Sequence, residues 1–118
     1  MFNVSLPELA LSLNIELLRL GEKLSGHNLD SAVRYILKHG LHASDCIHRC
    51  RNNHSKYKCI EQFKIAILEI DRAFRMIEHL HSRGLITKED RDGLYWKCQG
   101  VRLATYAEIK RYYEVMDW

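Results

Sequence analysis

Ile60 to Ile77 reads IEQFKIAILEIDRAFRMI, with large apolar residues at Ile60, Phe63, Ile67, Ile70, Phe74 and Ile77. Spacings of three and four place all six on one stripe of an α-helix, whereas a half-buried strand would need strict alternation. The stretch therefore predicts a long helix that restarts near Ser55 and stops at Gly84, a plausible left-handed residue followed by apolar Leu85. Just beyond, Thr87 with Asp90 offers the N-cap of a last helix from about Lys88 to Met116. That helix carries one stripe of Leu94, Cys98, Val101, Ala104 and Tyr112, and a second of Trp96, Leu103, Tyr106, Ile109, Tyr113 and Met116.

The same period runs upstream. Ser5 and Glu8 form an S-x-x-E capping box with Pro7 in the first turn, and predict a first helix to about Leu24 with a seam of Leu6, Leu9, Leu13, Leu17, Leu20 and Leu24. After the turn SGHN, Asn28 or Asp30 is expected to cap a second helix that buries Val33, Ile36, Leu37, Gly40, Ala43, Ile47 and Cys50 and ends at Asn52 and Asn53. Short connections at SGHN, NNHS and GLIT force antiparallel neighbours. The fold class is all-α, an antiparallel up-down-up-down four-helix bundle. A monomeric bundle needs one apolar stripe per helix, so the second stripe of the last helix, with Ile65, Leu68 and Met76 of the third, implies burial between chains. The expected oligomer interface is Trp96, Leu103, Tyr106, Ile109 and Tyr113.

At 118 residues and 47% hydrophobic content the chain is one domain, 1–118, with a real core. No apolar run approaches the roughly 18 residues of a membrane span. The N-terminus lacks a basic n-region and carries Glu8 and Glu16, so it does not read as a signal peptide, and a soluble cytoplasmic protein is the expectation. In that compartment the four cysteines are expected to be free rather than a disulfide framework.

Asp45 to Cys59, DCIHRCRNNHSKYKC, concentrates three of the four cysteines with His48 and His54. His42 with Cys46, and Cys46 with Cys50, have the spacing of ligands on one helical face, and His54 and Cys59 could complete a site. A helical wheel, however, puts Cys50 at the core edge, Cys46 and His39 on the flank and His42 toward solvent. Small buried cysteines with solvated histidines are the preferred reading, with no metal and no cofactor. The net charge is only +3, yet Asp30 to Cys59 holds Arg34, Lys38, Arg49, Arg51, Lys56 and Lys58 against Asp30 and Asp45. Such a stripe suits phosphate contacts without base readout, and Tyr35 and Tyr57 are near enough to stack on unpaired bases. An ordinary solvated helix face is the competing reading. Glycine-rich phosphate loops, a G-x-S-x-G elbow and paired E-x-x-H helices are missing from the sequence, so an enzyme is not expected.

Cys59 to Tyr113 carries three further features: Phe63, Ala66 and Glu69 in F-x-x-A-x-x-E; the turn Arg83-Gly84-Leu85-Ile86-Thr87; and Val101, Arg102, Tyr106, Ile109 and Lys110 near the end of the last helix. In these the chain resembles the four-helix-bundle proteins named for an intervening sequence in ribosomal RNA, and their relatives, the accessory variability determinant (Avd) proteins of diversity-generating retroelements. The stretch SDCIHRCRN stands where the ribosomal-RNA branch has a P-A-N-I-A-E-G-like run, and DSAVRYILKHG lacks the usual Avd opening of helix 2. The resemblance implies a homopentameric ring with a basic surface that binds RNA or DNA and a reverse transcriptase in cDNA synthesis. The expected function is thus a nucleic-acid-binding accessory protein, with an oligomeric protein-interaction scaffold as the alternative.

Overall fold

The computed structural model describes residues 4–50 and 55–116. Four helices make up the fold: α1 (Leu6–Lys23), α2 (Asp30–Arg49), α3 (Lys56–Ser82) and α4 (Lys88–Met116), with no strand among the described residues. Each start that a hydroxyl can explain is capped by one. Ser5, Ser55 and Thr87 accept from the backbone N–H groups of Glu8, Lys58 and Asp90 at 3.3, 3.2 and 3.1 Å, satisfying donors that have no partner inside the helix. α3 ends in a Schellman motif. Gly84 takes φ 75°, its N–H reaches the His81 carbonyl at 2.9 Å, and Leu85 N–H reaches the Leu80 carbonyl at 3.0 Å.

α2 departs from the sequence expectation. Its N-cap is Leu29, without a side-chain hydrogen bond, because Asn28 has turned to φ 58° in the preceding corner and Asp30 already lies within the helix. Asp30 still favours this end, as a negative charge beside the positive pole of the helix dipole. The NNHS corner and the expected helix end at Asn52 and Asn53 lie outside the described residues.

Cross-helix pairs set the directions. Asn14 meets Ser44, Cys50 meets Cys59, Arg102 meets Asp71, and Lys23 meets Asp90 while Lys97 meets Ser12. Each neighbouring pair thus runs antiparallel, and the helices contact in the cyclic order α1, α2, α3, α4 with α4 returning against α1. The bundle is up-down-up-down. Its core takes Leu13, Leu17, Leu20 and Leu24 from α1, Ile36, Ala43 and Ile47 from α2, a long row from Cys59 to Leu80 in α3, and Leu94, Cys98, Val101 and Ile109 from α4.

Two positions correct the reading of α4. Thr105 fills the inward place expected of Ala104, its hydroxyl satisfied by the Val101 carbonyl at 2.6 Å, so a polar residue is tolerated in the core. Ile109, expected at an interface between chains, is 8% exposed and belongs to the protomer's own core, one turn beyond Thr105. Between α1 and α2 the approach is tightest at Gly40, where an added Cβ would lie 2.5 Å from Leu17 Cδ1. All four cysteines are free. Among the described residues no helix is long and apolar enough to cross a membrane.

Candidate nucleic-acid interface

Arg34, Lys38 and Arg49 are exposed on the outer side of α2, opposite its core residues Ile36, Gly40 and Ala43, and Lys56 and Lys58 are exposed at the start of α3. Arg51 lies outside the described residues. The cations do not form one compact patch. Arg34 and Arg49 are fifteen residues apart along the helix, about 22 Å at 1.5 Å per residue. Arg49 is also paired with Asp45 at 2.8 Å, a solvated contact that offsets part of its charge. At this end Arg49 and Lys58 line one shallow depression with Glu61 and Gln62.

Between the two ends lies a group that the sequence reading names only within the F-x-x-A-x-x-E run. Glu69, on the side of α3 turned to α2, has a side chain only 3% exposed. Its Oε2 accepts from His39 Nδ1 at 2.6 Å and His42 Nδ1 at 2.9 Å, and its Oε1 accepts from Arg72. Burial alone would raise the pKa of this carboxyl, but hydrogen bonds from His39, His42 and Arg72 outweigh it and hold the group at about 2. Glu69 is therefore ionised, and an ionised carboxylate only accepts. Both imidazoles must then carry a proton on Nδ1. The edge of the Tyr35 ring meets His39 with centroids 4.3 Å apart, which steadies the ring from the other side.

The wheel reading had set His39 on the flank and His42 toward solvent, with no convergence. Across the seam they converge on Glu69, although His42 keeps 48% of its side chain exposed. Phe63, Ala66 and Glu69, spaced by three, all point inward, which explains why a carboxylate could occupy a row otherwise apolar. The available signal was the i, i+3 histidine pair on α2 together with one acidic residue in the buried row of α3.

Along the α2–α3 seam two separate hollows lie toward opposite ends, with the Glu69 cluster between them. At one end Tyr35, Met76, His79 and Arg83 line an open hollow of ≈ 600 Å³. His42 and Arg72 meet over Glu69 in the middle, and Arg49 with Lys58 closes the other end. On α3 Arg72 and His79 are one heptad apart and Lys58 lies two heptads before Arg72, with Ile65 at the position between; of the three cationic or imidazole residues only Lys58 was expected in this role. Arg34 and Lys38 make no ion pair among the described residues, so their charge is available to an anion.

The cysteines are arranged otherwise. Cys46 is buried, and Cys50 and Cys59 face each other across the α2–α3 end, each thiol directed at the other's carbonyl at 3.7 Å. Burial, reinforced by Cys59, pushes the Cys50 thiol up to about 12, far from the thiolate form that ligates a metal. Among the described residues no three His, Cys, Asp or Glu side chains are grouped to hold a metal ion. His54 lies outside them.

Apolar side chains are exposed elsewhere. On α4, Trp96 and Leu103 are 70% and 63% exposed, and Tyr106 and Tyr113 about half so. Tyr113 accepts a hydrogen bond from Lys64 of α3 at 3.0 Å, which places it at the α3–α4 edge. Ile65 and Leu68 of α3 are exposed as expected. A further set, Leu11, Ile15 and Leu18, runs along the outside of α1 at spacings of four and three, with Leu41 of α2 at about the level of Ile15. The sequence reading had assigned no second stripe to α1.

In comparisons with protein-family models, curated proteins and solved structures, nothing matches this chain.

Proposed function

We propose that this chain is a non-enzymatic nucleic-acid-binding accessory protein, engaging the phosphate backbone of RNA or DNA along the α2–α3 seam. The observation that carries this reading is the run of exposed cations from Arg83 through Arg72 to Lys58 and Arg49, with Arg34 and Lys38 beside it and Tyr35 at its rim. Spaced cations on a helical surface attract phosphates and release counterions, whereas a few stacking rings add affinity without sequence preference. The resemblance to Avd proteins adds a partner to this proposal: a retroelement reverse transcriptase, assisted in cDNA synthesis in the cytoplasm by a homopentameric ring.

The second reading is an oligomeric protein-interaction scaffold, favoured by the exposed Trp96, Leu103, Tyr106 and Tyr113. Filter binding of a structured RNA and a random duplex at about 50 and 200 mM salt separates the two. On the first reading both ligands bind, affinity falls steeply with salt, and Arg49→Glu with Arg51→Glu weakens both alike and flattens the salt slope. Absence of binding at low salt, or equal binding by wild type and the double variant, leaves the scaffold.

A further inference from the structure

Glu69 is a buried negative charge between α2 and α3, and it is covered by two side chains that remain half in solvent. Arg72 is 51% exposed and spends one guanidinium nitrogen on Glu69, so its other N–H groups face outward. His42 gives Nδ1–H to the same carboxylate, which leaves its Nε2 at the far edge of the ring. In a neutral imidazole that nitrogen carries a lone pair and repels a phosphate oxygen. In the imidazolium it donates to one.

We propose that the middle of the α2–α3 seam takes a backbone phosphate of the nucleic acid between His42 Nε2 and Arg72, with Glu69 as the positioning residue, and that binding takes up one proton on His42. The proton comes from solvent and returns there on release. This rests on the nucleic-acid reading above and gives it a proton linkage. Glu69 orients both donors in advance by accepting from His42 Nδ1 and from Arg72.

The charged and titratable groups around His42 are few. From α3 they are Glu69 and Arg72, and from α2 itself Lys38, His39, Asp45 and Cys46. Asp45 is taken by Arg49, and burial pushes the Cys46 thiol up. His39 shares Glu69 and packs against Tyr35, with a side chain 13% exposed. Histidine is the side chain that ordinarily changes charge between about pH 5 and 8, so the test compares affinities within that interval.

The test is the affinity of oligo(U) RNA, whose bases do not titrate on this side of neutrality, for the full chain at pH 6 and pH 8 and constant salt. Wild type should bind about three- to tenfold more tightly at pH 6, one proton per site giving at most tenfold per pH unit. His42→Gln should lose most of that pH dependence, while Arg72→Gln weakens binding at both pH values. As a reading that needs no variant, long-range proton–nitrogen spectra of wild type at pH 7 should show His42 shift toward the imidazolium pattern as RNA is added. Binding that is flat with pH, or an undiminished pH dependence in His42→Gln, or an unmoved His42 signal, overturns the proton linkage and leaves the nucleic-acid reading standing. No binding at either pH overturns both.

Discussion

His39 Nδ1 lies 2.6 Å from Glu69 Oε2 and ties α2 to α3 through a carboxylate that is almost wholly out of solvent. Opposed by burial but held down by its three donors, that carboxyl titrates at about 2 in the folded chain, against an ordinary 4.5. A group with a depressed folded pKa contributes stability that is present above about pH 4.5 and is lost as pH falls toward 2. The amount at neutral pH is on the order of 3 kcal/mol. Urea unfolding should therefore show wild type losing stability between these limits and Glu69→Gln losing distinctly less. At pH 7 the variant should be less stable by about 1–3 kcal/mol, because Arg72 and both histidines lose a charged acceptor.

Gly40 is the second structural test. Its missing Cβ makes room for Leu17 Cδ1 and Asn14 Oδ1, which an alanine methyl would meet at 2.5 and 2.8 Å. Alanine is the better helix former, so propensity alone predicts stabilisation of about 1 kcal/mol. Overpacking costs about 1–3 kcal/mol and wins where the neighbour is a core leucine and a buried amide. Gly40→Ala should lower the melting temperature. A rise would show that α1 slides away from α2 at little cost.

The two apolar sets of α4 should respond differently. Leu103→Glu or Tyr106→Glu acts on exposed side chains and should leave the protomer folded while reducing its assembly, which light scattering would place near about 70 kDa for a pentamer of 13.9 kDa chains. Ile109→Ala removes buried methyl groups and should cost about 2–5 kcal/mol of stability, with assembly affected only through unfolding. A monomeric wild type at micromolar concentration would refute the assembly.

Asp45 offers a gain rather than a loss. Its pairing with Arg49 offsets one cation at that end of the seam, so Asp45→Asn should tighten nucleic-acid binding about two- to threefold at low salt. The gain should fade as salt rises, since both charges are solvated. Unchanged affinity at low salt would place Arg49 outside the contact.

Helix boundaries were legible in the sequence because they are set by chemistry within four residues. The hydroxyls of Ser5, Ser55 and Thr87 and the left-handed Gly84 act on the nearest backbone groups and need no tertiary partner. The apolar stripes were legible for the same reason, since a 3.6-residue period fixes which side chains share a face. How far each face turns into the core was not. Ile109 and Thr105 went inward on α4, because the inward arc of each helix depends on the two neighbours it touches. The α2 start was missed because Asn28 bent into the turn instead of capping. Least legible was the partnership of His39 and His42 with Glu69, separated by 30 and 27 residues. Which acidic residue of α3 comes level with which histidine of α2 is decided by the register of two packed helices, and only core packing sets that register.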